Sequence, residues 1–522
     1  MAHFADMICK KPWKGVNGLQ YALSAKEMKC CDEYTVNKVG IPALVLMERA
    51  AMETVRTLTS QRKAAGKVLV LSGTGNNGGD GLAIGRMLAL SGVKVVFLLA
   101  GDKEKVSAET AAQIRIIENL GFSIQSNLGD EEYDIVIDAL FGIGLSRPLD
   151  GKYGTLVESV NRMRKKGAYV CSVDIPSGIS ADTGQVMGCA VQADLTVTFA
   201  FAKRGMLLYP GKTYAGKLIV RDIGIPLKAL RAKAPGMFFY EKDDLQKLIP
   251  KRSPEGNKGT FGKVLLIAGS RDMCGACILA GKSILKTGAG MVKIIAPECN
   301  REIIQSTLPE AVLYSYREIP KEREVEKALA WADAAVIGPG LGTGANAQFL
   351  LEYCLIYGQV PMVLDADALN LAAGKPYLVK LIQKAGERIV LTPHPGELLR
   401  LLGADKKRYP KERMALVREA VEKFDCVLAA KDAVTLVSDR KEESVFINTS
   451  GNDGMATAGS GDVLAGIIGA LLSRKMSCFM AACTGVFLHG LAGDAKAESC
   501  GKYSMTAMDL VSGLSAVLRR EL

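Results

Sequence analysis

A run of glycines and small residues with two carboxylates lies near the C-terminus of the chain. Its members are Asn452, Asp453, Gly454, Met455, Ala456, Thr457, Ala458, Gly459, Ser460, Gly461 and Asp462. Glycines let a backbone approach a ligand closely and aim successive N–H groups at one point. The apolar stretch 463–472 that follows predicts a helix whose positive end faces that point, which favours an anion. Asp462 in such a place indicates a base that contacts a hydroxyl beside a phosphate, and therefore phosphoryl transfer.

A second glycine-rich run lies in the N-terminal half, after a predicted strand at 68–71. It contains Asn76, Asn77, Gly78, Gly79 and Asp80. The run lacks the acidic residue, about twenty positions later, that would mark a dinucleotide ribose clasp. Amide and carboxylate oxygens in a tight turn either bind a ligand or simply form the turn, and this segment alone leaves both interpretations open.

Two more carboxylates stand at the ends of predicted strands in this half. Asp138 ends a strand at 135–139, and Asp174 follows a strand at 168–173 and precedes Ser177. The loop after Asp138 contains Gly142, Ile143, Gly144, Leu145, Ser146, Arg147 and Pro148. An isolated aspartate of this kind often caps a helix. Because doubly wound sheets bind ligands at the carboxyl ends of their strands, three such ends favour one shared pocket.

Further polar positions follow predicted strands in the C-terminal half. His394 stands between two prolines, either as a rigid substrate contact or as a turn residue, and we favour the contact because turns seldom need histidine. Asp365 and Asp367 read as capping residues, so we assign them no catalytic role. Asp462 could also be a plain helix cap, but the Gly-Ser-Gly sequence before it favours chemistry.

Composition narrows the class of protein. The chain has 522 residues, too many for one core, with 48% hydrophobic and 23% charged residues, as in ordinary globular domains. The formal net charge of +11 suits anionic small molecules. We find no basic block with interleaved aromatics for nucleic acid, no apolar run of membrane-spanning length and no signal-peptide pattern. We therefore expect a cytoplasmic protein without nucleic-acid or membrane partners.

The thirteen cysteines follow no repeating spacing. Cys274 and Cys277 form a lone CxxC pair, which is a redox or metal signature in other contexts. With no second pair and only three histidines in the chain, we read these residues as reduced thiols and expect no zinc site.

Strands and helices alternate in both halves, which predicts α/β domains with mostly parallel sheets. The predicted helical segments of the first half are 25–57, interrupted near 40–42, then 82–90 and 109–120. The predicted strands of the first half are 68–71, 93–99, 135–139, 168–173, 195–199 and 218–221; those of the second are 264–268, 292–296, 334–337, 362–365, 389–392, 427–430, 435–437 and 445–448. We predict a poorly ordered extension over 1–20, a domain over 21–228, a linker over 229–245 and a second domain over 246–522.

The three N-terminal motifs together resemble the NAD(P)H-hydrate epimerase domain, over about residues 20 to 225. The resemblance implies a Rossmann-like three-layer α/β/α fold. It implies that 76–80 and 142–148 hold the hydrated nicotinamide nucleotide, and that Asp174 contacts substrate as the acid/base. Asn77, Asp138 and Ser177 would present oxygens to K⁺. Arg49 departs from the asparagine that is common in the family.

The order of the C-terminal motifs resembles the ribokinase-like fold and, as a set, ADP-dependent NAD(P)H-hydrate dehydratase, over about 240 to 520. Ala276, Gly342, His394 and Asp462 would contact the hydrate, with Asp462 as base. The ADP site, with Mg²⁺, would comprise Lys431, Asp432, Ala433, Val434, Thr435 and the run 452–461. Asp432 replaces the usual glycine, and its negative charge is expected to weaken phosphate binding.

The joined halves resemble the bifunctional NAD(P)H-hydrate repair family. The resemblance implies epimerisation of the R and S hydrates of NADH and NADPH (NADHX and NADPHX), dehydration of the S form at the expense of ADP, and a homo-oligomer. One alternative is a kinase for a vitamin-precursor alcohol, since the same fold and base serve that reaction. Another is a first half that only binds a nucleotide, which Asp138, Asp174 and the Asn-Asn pair oppose.

Overall fold

A computed structural model describes residues 19–61, 66–129, 131–232, 236–442 and 444–521. The chain forms two compact units, one over Tyr21–Met237 and the other over the residues from Phe238 onward together with those up to Gln20. The extension predicted for residues 1–20 lies almost entirely outside the described residues.

Seven parallel strands form the sheet of the first unit. In spatial order they are Ile124–Gln125, Lys94–Leu99, Lys67–Ser72, Ile135–Ala139, Tyr169–Val173, Leu195–Phe199 and Lys217–Arg221. The strand order reverses between Lys67–Ser72 and Ile135–Ala139, and doubly wound sheets bind their ligands beside such a reversal.

Apolar side chains cover both faces of this sheet. Val68 and Val70 lie in one hydrophobic core with helical residues such as Ile84, whereas Leu69 and Leu71 lie in another with residues such as Leu156. Successive strand residues point to opposite faces, so a strand covered on both sides is a continuous apolar run. The predicted three-layer α/β/α arrangement is confirmed for this unit.

The helices of the first unit begin close to their predicted positions, with one difference. They are Ala25–Tyr34, the π-helical turn Thr35–Val39, Ala43–Gln61, Asn76–Leu90, the 3₁₀ turn Lys103–Lys105, Ala108–Asn119, Gly151–Lys165, Arg204–Leu207, Gly211–Ala215 and the 3₁₀ turn Leu227–Ala232. The sequence predicts a helix from Leu82, but the helix already begins at Asn76. Residues 76–80 are therefore its first turn and not a separate loop, because the glycines at 78 and 79 are buried against neighbouring elements and Gly75 serves as the N-cap.

A short pair of parallel strands is not part of the seven-stranded sheet. Leu19–Leu23 pairs with Ala202–Lys203, with Leu23 opposite Lys203. Ser24 then caps the helix Ala25–Tyr34 through a reciprocal capping box with Glu27. Lys203 and this helix are thus held next to each other.

Nine strands lie side by side in the sheet of the second unit. In spatial order they are Val312–Tyr316, Met291–Pro297, Lys263–Ile267, Ala334–Ile337, Met362–Leu364, Ile389–Leu391, Val427–Ala430, Leu436–Ser438 and Val445–Ile447. The first seven are parallel and the last two pair antiparallel. The edge strand Val312–Tyr316 is not predicted from the sequence, because four of its five side chains are exposed or half-buried and give no apolar run.

Helices connect these strands. They are Leu245–Leu248, Cys274–Lys286, Arg301–Thr307, Glu322–Trp331, Ala345–Tyr357, Asp367–Ala373, Pro376–Ala385, Pro395–Leu402, Tyr409–Phe424, Ser460–Ser473, Cys478–Cys500 and Ala507–Glu521. Short 3₁₀ turns occupy Lys242–Asp244, Glu298–Asn300, Gly386–Arg388, Lys406–Arg408 and Asp453–Met455. The helix predicted over 463–472 starts three residues earlier, so Asp462 lies within its first turn.

The segment 229–245, expected to be a linker, contains a buried strand. Met237–Tyr240 adjoins Val445–Ile447 in the second sheet, and Phe238 and Tyr240 pack their rings against Phe446. The aromatic burial accounts for the order of this segment, which its neighbouring charges and prolines conceal in the sequence.

One helix among the described residues is long and apolar enough, by length and composition alone, to cross a membrane. It is Cys478–Cys500, and 83% of its most apolar window is buried inside the protein. Such burial is that of a core helix. Length and apolarity alone do not distinguish a buried core helix from a membrane-spanning helix.

Candidate active sites

The carboxylate of Asp138 is the buried centre of the first site. It accepts hydrogen bonds from the Ser172 hydroxyl at 2.7 Å, the Ser177 hydroxyl at 2.6 Å and the Ser177 backbone N–H at 2.9 Å. Burial raises the pKa of Asp138 above its ordinary value, while these donors act to lower it. Asp138 is opposite Ser172 in the sheet, so neighbouring strand ends build this cluster as the sequence predicts.

Asn77 lies beside this cluster with unsatisfied polar atoms. Its amide oxygen and nitrogen are both buried and have no hydrogen-bond partner among the described residues. Gly142 lies against it, since a Cβ on that glycine would come within 3.2 Å of the Asn77 side chain. The buried amide oxygen, the Ser177 hydroxyl and one carboxylate are a donor set that suits a monovalent cation.

Asp174 occupies the end of the next strand in a left-handed backbone conformation, with φ +67°. Aspartate and asparagine tolerate this region better than other non-glycine residues. Its Oδ1 accepts hydrogen bonds from the Lys203 ammonium and from Thr198 Oγ1, the latter at 3.1 Å. The strand ends therefore fix one carboxylate oxygen of Asp174.

Two more carboxyl groups, those of Asp80 and Asp32, interact electrostatically with Asp174. The negative charges of Asp174 and Asp32 add to burial in raising the pKa of Asp80 well above its ordinary value. Burial likewise raises the pKa of Asp32 to about 7, with Asp174 and Glu33 acting in the same direction and Lys203 opposing them. The site therefore holds two carboxyl groups of raised pKa that interact with Asp174.

The loop 142–148 is only partly anchored. Ile143 and Leu145 pack against the cores, whereas Gly144, Ser146, Arg147 and Pro148 are exposed. Arg49, the departure from the family pattern, is also exposed, and its guanidinium lies against Gly224.

Asp462 is the central carboxylate of the second site. Burial and the negative charge of Asp365 raise its pKa to about 7, against the opposing charge of Lys431. The N–H groups of the first turn of Ser460–Ser473 face the same region, because Gly459, with φ +89°, turns the chain into the helix. The site thus holds a carboxylate of near-neutral pKa at a helix N-terminus.

Lys431 and Asp365 form an ion pair beside this helix end, with Lys431 Nζ 2.6 Å from Asp365 Oδ1. Asp365 is 1% exposed, and its Oδ2 has no hydrogen-bond partner among the described residues. A Cβ on Gly461 would lie 3.1 Å from Lys431 Nζ, so glycine permits this close approach. Asp365, read from the sequence as a capping residue, instead holds the lysine of the predicted nucleotide segment.

His394 caps a helix and also faces the site. Its Nδ1 accepts hydrogen bonds from the backbone N–H groups of Gly396 and Glu397, at 3.0 and 3.4 Å. His394 thus caps the N–H groups of the first helical turn, and its Nε2 lies 3.4 Å from Glu397 Oε1. Burial, and then the charge of Lys431, lower the pKa of His394. Burial raises the pKa of Glu397 to about 7.

The Asp432 carboxylate contacts two side chains of the helix Tyr409–Phe424. Its carboxylate accepts a hydrogen bond from the Tyr409 hydroxyl at 2.9 Å and lies 3.4 Å from an Arg413 nitrogen. The charge that is expected to weaken phosphate binding is therefore opposed by a guanidinium. In the same segment, the Val434 carbonyl accepts from Arg413, and Thr435 is buried.

The run 452–461 is held by backbone and side-chain contacts. Asn452 donates to Asp494 at 2.9 Å and accepts from the Gly454 N–H at 3.0 Å. Its C-terminal end meets Lys431 at Gly461, so the two segments predicted to bind ADP are adjacent there. Ser460 Oγ lies 3.4 Å from the Nε2 of buried His489.

The two remaining predicted substrate contacts lie on neighbouring loops. Ala276 touches the loop at Gly340, where an added Cβ would be 3.0 Å from that of Ala276. The Gly342 N–H donates to Asp367 at 2.8 Å. Burial and, less strongly, Asp462 raise the pKa of Cys277, which puts this helix start beside the carboxylate.

Similarity to known proteins covers both units. Residues 43–205 match the YjeF_N model, described as YjeF-related protein N-terminus, and residues 264–515 match the Carb_kinase model, described as NAD(P)H-hydrate dehydratase. The bifunctional NAD(P)H-hydrate repair enzyme Nnr of Moorella thermoacetica is 34% identical over 519 residues, covering 96% of this chain and 97% of that protein.

The chain belongs to the bifunctional NAD(P)H-hydrate repair family. The Nnr enzyme of Escherichia coli is 33% identical over 500 residues, covering 95% of this chain and 94% of that protein. A solved structure, the ADP/ATP-dependent NAD(P)H-hydrate dehydratase from Bacillus subtilis co-crystallized with ATP/Mg²⁺, is 28% identical and covers 54% of this chain and 98% of that one, with a TM-score of 0.47. The resemblance drawn from the motifs is confirmed.

The sequence analysis assigns no functional role to four residues of the two sites. Lys203 and Asp32 surround Asp174, and Asp365 and His489 adjoin the second helix end. A lysine that ends a two-residue strand gives no glycine-rich signal. The one signal in the sequence is that Lys203 lies between the apolar segments 199–202 and 205–208, which predicts that it is buried.

Proposed function

We propose that the first unit interconverts the R and S forms of NAD(P)H-hydrate and that the second dehydrates the S form at the expense of ADP, giving AMP and phosphate. The relatives with both domains on one chain support this pairing. The observation that carries it is the carboxylate of Asp462, of near-neutral pKa, at a helix N-terminus beside Lys431.

At the first site, Asp174 is the acid/base. It takes the proton of the hydroxyl on the hydrated carbon while the bond from that carbon to the ring nitrogen opens and leaves its electron pair on nitrogen. The proton returns when the bond closes on the other face. A carboxylate with one oxygen fixed and substrate excluding water suits this shuttle. Residues 76–80 and 142–148 would hold the nucleotide.

K⁺ fits the first site. Asn77, Asp138 and Ser177 would hold it, since the buried Asn77 amide oxygen has no partner among the described residues. The cation would supply positive charge that orients anionic substrate. Asp138 would keep its hydrogen bonds from Ser172 and Ser177 as part of the wall of this site.

At the second site, Asp462 removes the proton of the same hydroxyl in the S hydrate. The hydroxyl oxygen of the hydrate then attacks the β-phosphorus of ADP. The bond to AMP breaks. Phosphate then leaves the ring carbon, and loss of a proton from the adjacent carbon restores the double bond. Backbone N–H groups of residues 452–461, the helix end and Lys431 stabilise the transferred charge. Ala276, Gly342 and His394 would contact the hydrate.

Mg²⁺ would enter with ADP. No group of three or more His, Cys, Asp or Glu suited to a metal occurs in residues 19–61, 66–129, 131–232, 236–442 and 444–521. Phosphate oxygens and water would therefore supply most of its ligands, as is common for this ion, with Asp365 Oδ2 as a nearby protein oxygen. We also infer a cytoplasmic location from the composition and a homo-oligomer from the family resemblance.

Two variants separate the two activities. Asp174→Asn keeps the left-handed backbone, while Asp462→Asn keeps the helix start. With a hydrate mixture and ADP, we expect wild-type protein to restore all the absorbance of the reduced cofactor. Asp174→Asn should stop when the S form is used up, and Asp462→Asn should restore none.

Recovery is followed at the absorbance band of the reduced cofactor, with spontaneous interconversion of the hydrates as the background. Full recovery by Asp174→Asn at the wild-type rate would contradict the role of Asp174. Unchanged dehydration by Asp462→Asn would contradict the phosphoryl-transfer proposal.

A further inference from the structure

Lys203 is a buried cation in the first site, and the proposed reaction does not yet assign it a role. Its side chain is 1% exposed. The ammonium donates to Asp174 Oδ1, to Thr198 Oγ1 at 2.8 Å and to the Phe199 carbonyl at 3.1 Å. These three acceptors use all three N–H bonds of the group, so the ammonium has one orientation.

The two oxygens of Asp174 differ as a result. Oδ1 accepts from Lys203, from Thr198 Oγ1 at 3.1 Å and, more weakly, from the Phe199 N–H at 3.4 Å. Oδ2 accepts no hydrogen bond from the described residues, and the side chain is 14% exposed. One oxygen is therefore bound within the protein and the other is available to substrate.

Two further carboxyl groups interact with this ion pair. Asp32 approaches from the helix Ala25–Tyr34 and Asp80 from the helix Asn76–Leu90, and both carboxyls interact electrostatically with Asp174 and Lys203. Three carboxyls then share one buried ammonium. Like charges at such a site favour protonation of the carboxyls, so a carboxylate without the cation would tend to gain a proton and lose its function as a base.

The helix that carries Asp32 is tied to the strand that carries Lys203. Leu23, just before this helix, is opposite Lys203 in the parallel strand pair. Glu27, in the first turn of the helix, pairs with Arg204 at 2.6 Å. The spacing between the lysine and the surrounding carboxyls is therefore fixed by two adjacent contacts.

We propose that Lys203 is a positioning residue of the epimerase reaction, which binds Oδ1 of Asp174 and leaves Oδ2 to face the hydrated ring. This role rests on the proposed function of Asp174. Thr198 assists by fixing Oδ1 and one N–H of Lys203 at once.

Lys203→Met tests the role, because methionine keeps an unbranched apolar stem and removes the charge. We expect kcat of R-to-S interconversion to fall by about 100-fold, within the range for acid/base groups, with KM changed less than about threefold. Dehydration of pure S hydrate by the second unit should keep its wild-type rate. Lys165→Met, at an exposed helix position, is the matched control and should change neither activity.

The pH profile distinguishes this role from a merely structural one. The charged groups that face Asp174 are Lys203, Asp80 and Asp32. With the lysine removed, Asp174 would face two carboxyls and no cation, so the acid limb of interconversion should move to higher pH in Lys203→Met. An unmoved limb, or an unchanged kcat, would overturn the proposal.

Thr198→Val is a second variant that leaves the ion pair in place. It removes the hydroxyl that bridges Asp174 and Lys203 without changing side-chain volume, and we expect a several-fold loss of kcat. A wild-type rate in a Lys203→Met protein that unfolds as the wild type does would reject only the positioning role. Wild-type protein that fails to interconvert the hydrates would instead reject the proposed function.

Discussion

Each of the two sites pairs carboxylates with one buried or largely buried lysine. Lys203 contacts Asp174 in the first, and Lys431 contacts Asp365 in the second. The carboxyls not bonded to the lysine are those with raised pKa values, Asp32 and Asp462, each at about 7. A carboxyl whose pKa lies near the working pH can both take up and release a proton.

The pKa of Asp462 predicts a pH dependence for dehydration. A base with a pKa of about 7 is active only when ionised, so the rate with saturating ADP should rise as pH increases through about 7. Asp365→Asn removes a negative charge that raises this pKa. The acid limb should therefore move to lower pH, as measured by initial rates on S hydrate over pH 5 to 9.

Glu422, an exposed residue near the C-terminal end of the helix Tyr409–Phe424, supplies the control. Glu422→Gln should leave the acid limb unchanged. An acid limb that does not move in Asp365→Asn would mean that a group other than Asp462 limits the rate.

Side chains inside glycine-rich motifs could be predicted from the sequence, and their distant partners could not. Asp462 and Asn77 stand in runs whose composition indicates close ligand approach. Lys203 lies 29 positions from Asp174, and Lys431 lies 66 positions from Asp365. Such pairs arise from strand order, which a single sequence does not specify, so their lysines and carboxylates look like ordinary charged residues until the sheets form.

At the scale of elements, both glycine-rich runs are helix starts. Residues 76–80 begin Asn76–Leu90, and residues 460–462 begin Ser460–Ser473. The low helix propensity of glycine explains why the sequence predicts both helices to begin later. Burial against neighbouring elements overrides that propensity, and it also turns the first N–H groups toward the proposed ligands.

The contact between Cys274–Lys286 and Ser460–Ser473 depends on Gly466. A Cβ there would lie 2.0 Å from Ser283 Oγ and 2.4 Å from the Ala280 carbonyl oxygen. Gly466→Ala should therefore lower the free energy of unfolding by about 1–3 kcal/mol through overpacking, as measured by chemical denaturation.

Gly275→Ala is the matched control for this contact. It lies in the first turn of the partner helix, where an added Cβ has no neighbour within 4 Å. This variant should be neutral or slightly more stable. Equal stability of Gly466→Ala and wild type would show that the two helices separate without cost.

At the scale of the whole molecule, each unit contains all the residues proposed for its own reaction. The first site draws on residues of Tyr21–Met237, and the second on residues after Phe238. Strand alternation predicts this division into two α/β parts. The buried strand Met237–Tyr240 was hidden because its four residues lie between charged segments.

Self-sufficient units predict complementation between inactive chains. Asp174→Asn and Asp462→Asn, each unable alone to convert a hydrate mixture completely, should together restore full recovery when mixed in equal amounts. The S hydrate leaves one molecule and is consumed by another. The readout is the final absorbance of the reduced cofactor.

The chain with both substitutions is the control for the mixture and should recover nothing. A mixture that stops at the level of Asp174→Asn alone would mean that the S hydrate must stay on the molecule that formed it.

Because both units belong to one polypeptide, every round of translation supplies them in equal numbers. A cell cannot raise isomerisation capacity without raising dehydration capacity by the same amount. The balance between them is therefore set by turnover numbers and by the supply of nucleotide, and not by gene expression.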